Sequence, residues 1–227
     1  MELLLEIRSL GKSFRSNNVR KSIFSNIDFN LYDQEIVALI GPSGCGKSTL
    51  LNVIAGMDLD FDGKILIEGE NTFLREHSKV SYMQQKDLLL PWRNVLENAI
   101  LGLEINKYDN IESKQKALNL LPDFGLEGTE DLFPRQLSGG MRQRVSFLRS
   151  ILLERPIMLL DEPFSSLDSI TRHKMQEWVS SILIRNKKSV VLVTHDISEA
   201  VLLSDRVLIM GGSPSRICLE YKINLSR

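Results

Sequence analysis

The chain has 227 residues, of which 43% are apolar, with 28 Lys and Arg against 29 Asp and Glu and a formal net charge of −1. That length suits one large domain with a proper core. The even charge balance argues against a broad cationic face for nucleic acid or for an anionic membrane, so no nucleic-acid partner is expected. Two cysteines, Cys45 and Cys218, lie far apart in sequence, so a structural disulfide is not expected and a reducing cytosol is the natural compartment. The first residues lack the basic start and the apolar length of a signal peptide, and no run approaches the ~18–20 apolar residues of a membrane helix. If the protein serves a membrane, it is expected to do so through a membrane partner.

In chain order, apolar runs at residues 3–7 and 27–31 read as strands, with another at 36–40. Residues 41–49, Gly-Pro-Ser-Gly-Cys-Gly-Lys-Ser-Thr, follow the strand at 36–40 and precede a helical pattern at 47–55. This is the G-x-x-x-x-G-K-[ST] loop in its strand–loop–helix context. Its residues are Gly41, Pro42, Ser43, Gly44, Cys45, Gly46, Lys47, Ser48 and Thr49. The glycines let backbone N–H groups turn inward as an anion nest, and the helix start adds partial positive charge. Lys47 is expected to reach the β- and γ-phosphates of ATP, and the Ser48 hydroxyl to hold Mg²⁺. Cys45, among those N–H groups, is expected to be a reactive thiol that MgATP protects, the alternative being that the loop buries the sulfur and alkylation is slow.

Strands follow at 64–68 and 79–83, the first after a polar turn that suggests antiparallel pairing. From 87 to 153 the pattern is nearly all helical, with helices at 92–103, 111–124 and 139–153. Within it, residues 137–144 read Leu-Ser-Gly-Gly-Met-Arg-Gln-Arg. Ser138 is a good helix N-cap, and Gly139 and Gly140 let a phosphate approach the backbone. An apolar strand at 157–160 then ends in Asp161-Glu162-Pro163. Asp161 is placed to hold Mg²⁺, and Glu162 to take a proton from an attacking water. A helix at 169–185, a strand at 190–194, a helix at 198–204 and strands at 207–210 and 217–221 complete the chain. Continuous apolar strands indicate a parallel sheet buried on both faces.

Together, the loop at 41–49, the sequence at 137–144 and the acidic strand end resemble the ATPase subunit of the ABC transporter family, over nearly the whole chain from about Leu5 to Ile217. The resemblance implies an α/β fold. A phosphate-loop (RecA-like) ATPase core would carry an N-terminal antiparallel β subdomain, both in residues 1–86 and 154–227, with a helical subdomain inserted at about 87–153. It implies ATP and Mg²⁺ as ligands. It aligns Phe14 with the aromatic that stacks on adenine, a core or hairpin position being the alternative. It aligns Gln85 with the glutamine that senses Mg²⁺ and joins the ATP site to the helical subdomain, with Gln84 the adjacent alternative. His195 matches the histidine that contacts the γ-phosphate, and Asp168 lies in the Ser-Ser-Leu-Asp loop that meets a partner subunit. His77 and His173 read as surface residues. In this family Ser138, Gly139 and Gly140 reach the ATP of another subunit. One phosphate loop and one such sequence per chain therefore imply a head-to-tail homodimer with ATP sandwiched between copies.

Residues 87–98, Asp-Leu-Leu-Leu-Pro-Trp-Arg-Asn-Val-Leu-Glu-Asn, resemble the importer ATPases for nitrate, sulfonates, taurine and thiamine precursors. That resemblance implies a membrane permease as direct partner, a solute-binding protein as indirect partner, and a place on the cytoplasmic face of the cell membrane. Leu88, Leu89, Leu90 and Trp92 either receive a permease helix or simply pack the helical subdomain. An exporter ATPase and a non-transport ABC ATPase are the alternative functions. Gln34 departs from the family, standing where glycine is common, and Asp33 is expected to supply the turn chemistry instead. Pro122 should end or kink its helix. The chain ends soon after its last strand, so no C-terminal regulatory domain is expected.

Overall fold

The computed structural model describes residues 2–16, 19–71 and 79–225. His77 lies outside them. Among the described residues, ten strands join in one mixed sheet. The strands β1 (Leu3–Ser16) and β2 (Val19–Tyr32) form a long antiparallel pair. They extend well beyond the expected 3–7 and 27–31, because register shifts let the pair bend without losing its partners. β4 (Asp62–Ile67) pairs antiparallel with β1, and the short β5 (Glu70–Asn71) pairs with β4.

The parallel part holds β3 (Ile36–Ile40), β6 (Val80–Met83), β7 (Ile157–Asp161) and β8 (Ser189–Val193). β9 (Arg206–Gly212) runs parallel to β3, and β10 (Ser215–Lys222) pairs antiparallel with β9. The order is β5-β4-β1-β2-β10-β9-β3-β8-β7-β6. The N-terminal antiparallel strands are therefore not a free-standing sheet. A bridge between Ser215 of β10 and Phe24 of β2 makes them continuous with the parallel strands.

Side chains alternate across the sheet with period 2. Val37 and Leu39, Ile157 and Leu159, and Val191 and Val193 pack with α1 (Lys47–Ile54) and the antiparallel strands. Ile36 and Ala38, Met158 and Leu160, and Val190 and Leu192 face the other core. That second core includes α2 (Val95–Ala99), α3 (Leu101–Ile105), α5 (Gly139–Leu152), α6 (Ser169–Arg185) and α7 (Ile197–Leu203). Both faces of the central strands are thus covered, which explains their unbroken apolar runs.

The helix expected at 92–103 is two short helices. Asn94 caps α2, its side chain accepting from Glu97 N while Glu97 returns a bond to Asn94 N, so Trp92 lies outside the helix. α4 (Asn110–Leu120) stops short of the expected 124, since Pro122 cannot supply the next N–H. An aromatic cluster of Phe124, Phe147 and Trp178 locks the end of this segment to α5 and α6, with ring centroids 5.0–6.1 Å apart. Trp178 Nε1 also donates to Asp123 O at 2.9 Å.

Asp33 does not relieve the turn before β3. Gln34 itself adopts the left-handed conformation, φ 59°, and its backbone N–H donates to Ser189 Oγ at 2.8 Å. The turn's requirement for positive φ is kept and a non-glycine residue bears the strain. Gln34→Gly should therefore stabilise the fold by about 1 kcal/mol, raising Tm by roughly 2–4 °C. A thermal melt checks this, and an unchanged or lower Tm would contradict it.

Candidate active site

Every residue of the candidate site except Phe14, Asp168 and the α5 start lies at or just beyond the carboxyl ends of parallel strands, where open α/β sheets place their ligands. The loop 41–49 leaves β3 directly. Gly41 passes so close to β9 that a Cβ there would sit 2.3 Å from Met210 O, so no larger residue fits. Gly46 enters α1 at φ 99°. Beside Gly44 the space is open. Lys47 is buried, and its ammonium donates to Gly41 O at 2.8 Å and Pro42 O at 3.0 Å. It is therefore curled over its own loop, at the start of α1.

Asp161 ends β7 on the α1 side of the sheet, as the alternation Ile157, Leu159, Asp161 requires. Ser48 Oγ donates to its Oδ1 at 3.0 Å, and Tyr82 OH donates to its Oδ2 at 3.3 Å. Burial raises the Asp161 pKa above the usual carboxylate value, and Glu162 adds to this; the bonds from Ser48 and Tyr82 and the charge of Lys47 oppose it. Tyr82 OH also lies 3.1 Å from Asn52 Oδ1. Burial, and then the charge of Asp161, raise the pKa of the Tyr82 phenol, so it stays a donor.

A hydroxyl beside a carboxylate is an oxygen set suited to Mg²⁺, which takes few protein ligands and completes its shell with phosphate oxygens and water. Among the described residues no cluster of three or more His, Cys, Asp or Glu could hold an ion alone. The loop's glycines, the lysine and this oxygen pair fit a nucleoside triphosphate with its ion. They do not fit a metal bound without one.

Glu162 takes a left-handed backbone, φ 45°, immediately after the strand. Its N–H still bonds Val193 O at 2.8 Å. Its side chain leaves the α1 side and meets two residues from neighbouring strand ends. Gln85 Nε2, following β6, donates to Glu162 Oε2 at 3.1 Å. His195 Nδ1, following β8, lies 3.2 Å from the same oxygen. Among the described residues Oε1 has no hydrogen-bond partner. Gln84 points elsewhere, its amide 3.8 Å from Met57 Sδ. Ser165 belongs to the Ser-Ser-Leu-Asp loop but has no role of its own in the sequence reading, yet its hydroxyl donates to Glu162 O at 3.0 Å and lies 3.4 Å from Gln85 Nε2. Tyr82 was also missed. Its signal was available, since it stands on the strand that leads into Gln85.

The remaining expected residues stand apart from this cluster. Phe14 is 47% exposed on β1, with Lys12 Nζ 5.0 Å from its ring centroid. Lys12 is buried and pairs with Asp58 at 2.8 Å. Ser138 caps α5 by accepting from Met141 N at 3.2 Å, and Ser138 and Gly139 are exposed. Asp168 is exposed and caps α6, accepting from Thr171 N at 3.0 Å. Among the described residues no hydrogen bond or ion pair joins these positions to the loop 41–49. His173 is exposed and lies 3.5 Å from Glu177. A cavity of about 450 Å³ lined by Tyr32, Glu35, Arg206 and Lys222 lies at the opposite, amino ends of β3 and β9, remote from these groups.

The family model described as ABC transporter matches residues 24–165. The formylaminopyrimidine import ATP-binding protein of Halalkalibacterium halodurans is 45% identical over 201 residues, 88% of this chain and 78% of the relative. The aliphatic sulfonates import ATP-binding protein of Bacillus thuringiensis is 39% identical over 225 residues, 99% of this chain and 88% of the relative. Among solved structures, a dimeric ATP-binding cassette in a post-hydrolysis state, bound to ADP and Pi, superposes with a TM-score of 0.84 at 30% identity, covering 98% of this chain and all of that one. The chain belongs to the ABC transporter family, as an ATPase coupled to transmembrane transport.

The reactive thiol expected at Cys45 meets a different environment. Its side chain is 8% exposed and packs in the apolar cluster with Phe24, Leu50 and Met210. The loop turns the sulfur inward, into that apolar cluster. Cys218 is exposed. Alkylation with iodoacetamide should therefore modify Cys218 rapidly and Cys45 slowly, with ATP hydrolysis unaffected in the fast phase. Peptide mapping by mass spectrometry during the time course checks the order.

Proposed function

We propose that this ABC-family chain is the ATP-hydrolysing subunit of an importer, driving uptake of a small solute of the sulfonate or thiamine-precursor type through a membrane permease. The importer reading is supported by the names of the two relatives and by the Pro91-Trp92 segment after Gln85. The observation that carries the chemistry is the carboxylate of Glu162. One of its oxygens is addressed by Gln85 and His195, while the other has no partner among the described residues.

Bound MgATP supplies the transferable phosphoryl group and an ion that offsets its charge. Backbone N–H groups of residues 41–49 surround the phosphates. Lys47 exchanges its loop carbonyls for phosphate oxygens. Ser48 and Asp161 supply hard oxygens to Mg²⁺, with Gln85 reaching the same region. Glu162 accepts the proton of the attacking water on its free oxygen. Gln85 and His195 restrict the carboxylate to the orientation in which that oxygen faces the phosphate, and His195 reaches the γ-phosphate. Phe14 stacks on the base. Exposed Ser138 and Gly139, with half-buried Gly140, at the start of α5 complete the site of a second copy arranged head-to-tail, next to the loop that ends at Asp168. The protein would act at the cytoplasmic face of the membrane, with a solute-binding protein as a more distant partner.

Two outcomes test this reading. Glu162→Gln should keep ATP binding and lose about 10²–10⁴-fold in kcat, whereas Lys47→Ala should lose ATP binding itself. Steady-state hydrolysis and nucleotide titration on the same preparations check both, and near-normal turnover of Glu162→Gln would contradict the assignment.

The permease contact has its own test. Trp92 is 71% exposed and Leu88 is 49% exposed, while Leu89 packs on the core. Packing therefore accounts for Leu89 and leaves Trp92 available for a partner helix. Trp92→Ala should leave Tm and ATP binding unchanged while weakening permease association about tenfold or more. Co-purification and melting of the same variant distinguish lost contact from lost folding.

A further inference from the structure

Behind His195 lies a buried acid that the hydrolysis scheme does not use. Glu199, on α7, is 4% exposed. Its Oε2 accepts from Thr194 Oγ1, and its Oε1 accepts from Gln176 Nε2 on α6 at 3.0 Å. Thr194 Oγ1 in turn accepts from Asp196 N at 3.0 Å. The hydroxyl therefore closes the backbone around His195, from the residue before it to the residue after. Asp196 braces the same turn, accepting from Ser198 N at 2.8 Å and Glu199 N at 3.3 Å. Arg172, whose charge favours ionised Glu199, donates to Leu167 O at 2.9 Å in the loop before Asp168. Burial pushes the Glu199 carboxyl up from its usual range, and the bonds from Thr194 and Gln176 oppose that shift. A carboxylate retained in such a place is costly unless its contacts are needed.

We propose that Glu199 is a positioning residue for hydrolysis: through Thr194 it fixes the turn that carries His195 against Glu162, and through Gln176 it ties that turn to α6. This rests on the role assigned to His195 above. Glutamine at 199 has the same shape but must present an amide N–H₂ to either Thr194 or Gln176. Facing Thr194, it leaves the buried Thr194 hydroxyl hydrogen without an acceptor. Facing Gln176, it sets donor against donor. In either case the turn loosens and His195 no longer holds its 3.2 Å approach to Glu162. ATP binding, which uses the loop 41–49 and Phe14, is untouched.

The test is a double-mutant cycle on the purified full chain, with hydrolysis measured across MgATP concentrations. Glu199→Gln should lower kcat roughly 10- to 100-fold with KM within about twofold. Thr194→Val, which removes the hydroxyl by another route, should do the same, and Thr194→Ser should recover turnover relative to valine. On a His195→Ala background Glu199→Gln should cost less than about twofold more, because the contact it serves is already gone. Normal turnover of Glu199→Gln, or a loss that multiplies fully with that of His195→Ala, would overturn the proposal while leaving the hydrolysis reading intact. Normal turnover of His195→Ala would overturn both.

Discussion

Two adjacent carboxylates must leave the end of one buried strand in opposite directions, and much of the site follows from how the chain meets that demand. Every residue of β7 is buried, so Asp161 can face only one side of the sheet, the side of α1. There the Ser48 hydroxyl and the Tyr82 phenol receive it. Glu162 would normally point to the opposite core among apolar side chains, at a large desolvation cost. The left-handed backbone at Glu162 swings the side chain out of that core to the sheet edge. Backbone strain of this kind costs about 1–3 kcal/mol and persists only where surrounding contacts hold it. The bond from Glu162 N to Val193 O and the Ser165 hydroxyl on Glu162 O supply such contacts.

The same constraint orders the neighbours. Because β6, β7 and β8 are parallel and in register, the residues that follow them arrive at one edge. Gln85 and His195 therefore flank Glu162 although they lie 110 positions apart in the sequence. The antiparallel strands on the α1 side bring Phe14 by a different route, along the far end of a long hairpin, so it reaches no hydrogen-bonding partner of the cluster. The start of α5 and the start of α6 present their caps outward, and a Cβ at Gly140 would lie 3.4 Å from Thr171. Those two caps are therefore near each other, and among the described residues no hydrogen bond or ion pair joins them to the loop 41–49.

Much of this was legible in the sequence because it rests on local spacing. The loop at 41–49 is contiguous, the parallel strands read as unbroken apolar runs, and α6 occupies the expected 169–185. What could not be read depends on long-range geometry. The continuity of the sheet hangs on the single bridge of Ser215 to Phe24. At Gln34 the expectation that Asp33 would take over the turn chemistry failed, because the turn kept its shape and Gln34 itself bears the positive φ. Cys45 misled for a related reason. Its neighbours in sequence are the polar groups of a phosphate loop, but its neighbours in space are Phe24, Leu50 and Met210. Ser165, Tyr82 and Glu199 stand inside the motif segments, but the sequence assigns them no role, because their contacts to Glu162, Asp161 and Thr194 exist only in the fold.

The segment after Gln85 connects this chemistry to the exposed apolar surface, and α5 grips that segment at two points. Arg142 Nε pairs with Asp87 Oδ2 at 3.1 Å, and its Nη1 donates to Leu137 O at 2.9 Å, just before the cap at Ser138. Seven residues on, and so on the same helix face, Arg149 donates to Asp87 O at 2.7 Å and Leu88 O at 3.0 Å. Hydrogen bonds from charged donors contribute about 1.5–3 kcal/mol each when shielded, and less where water competes, as it does at the Asp87 side chain. Leu88, itself left-handed, is thereby fixed with its side chain outward beside Trp92. A displacement of α5 would therefore either drag residues 87 and 88 with it or break these bonds. Since Gln85 is only two residues from Asp87 and donates to Glu162, the same displacement would reach the Glu162 carboxylate. Contiguous contacts thus run from α5 through Asp87 and Leu88 to Gln85 and Glu162, which is the physical condition for events at one to be felt at the others.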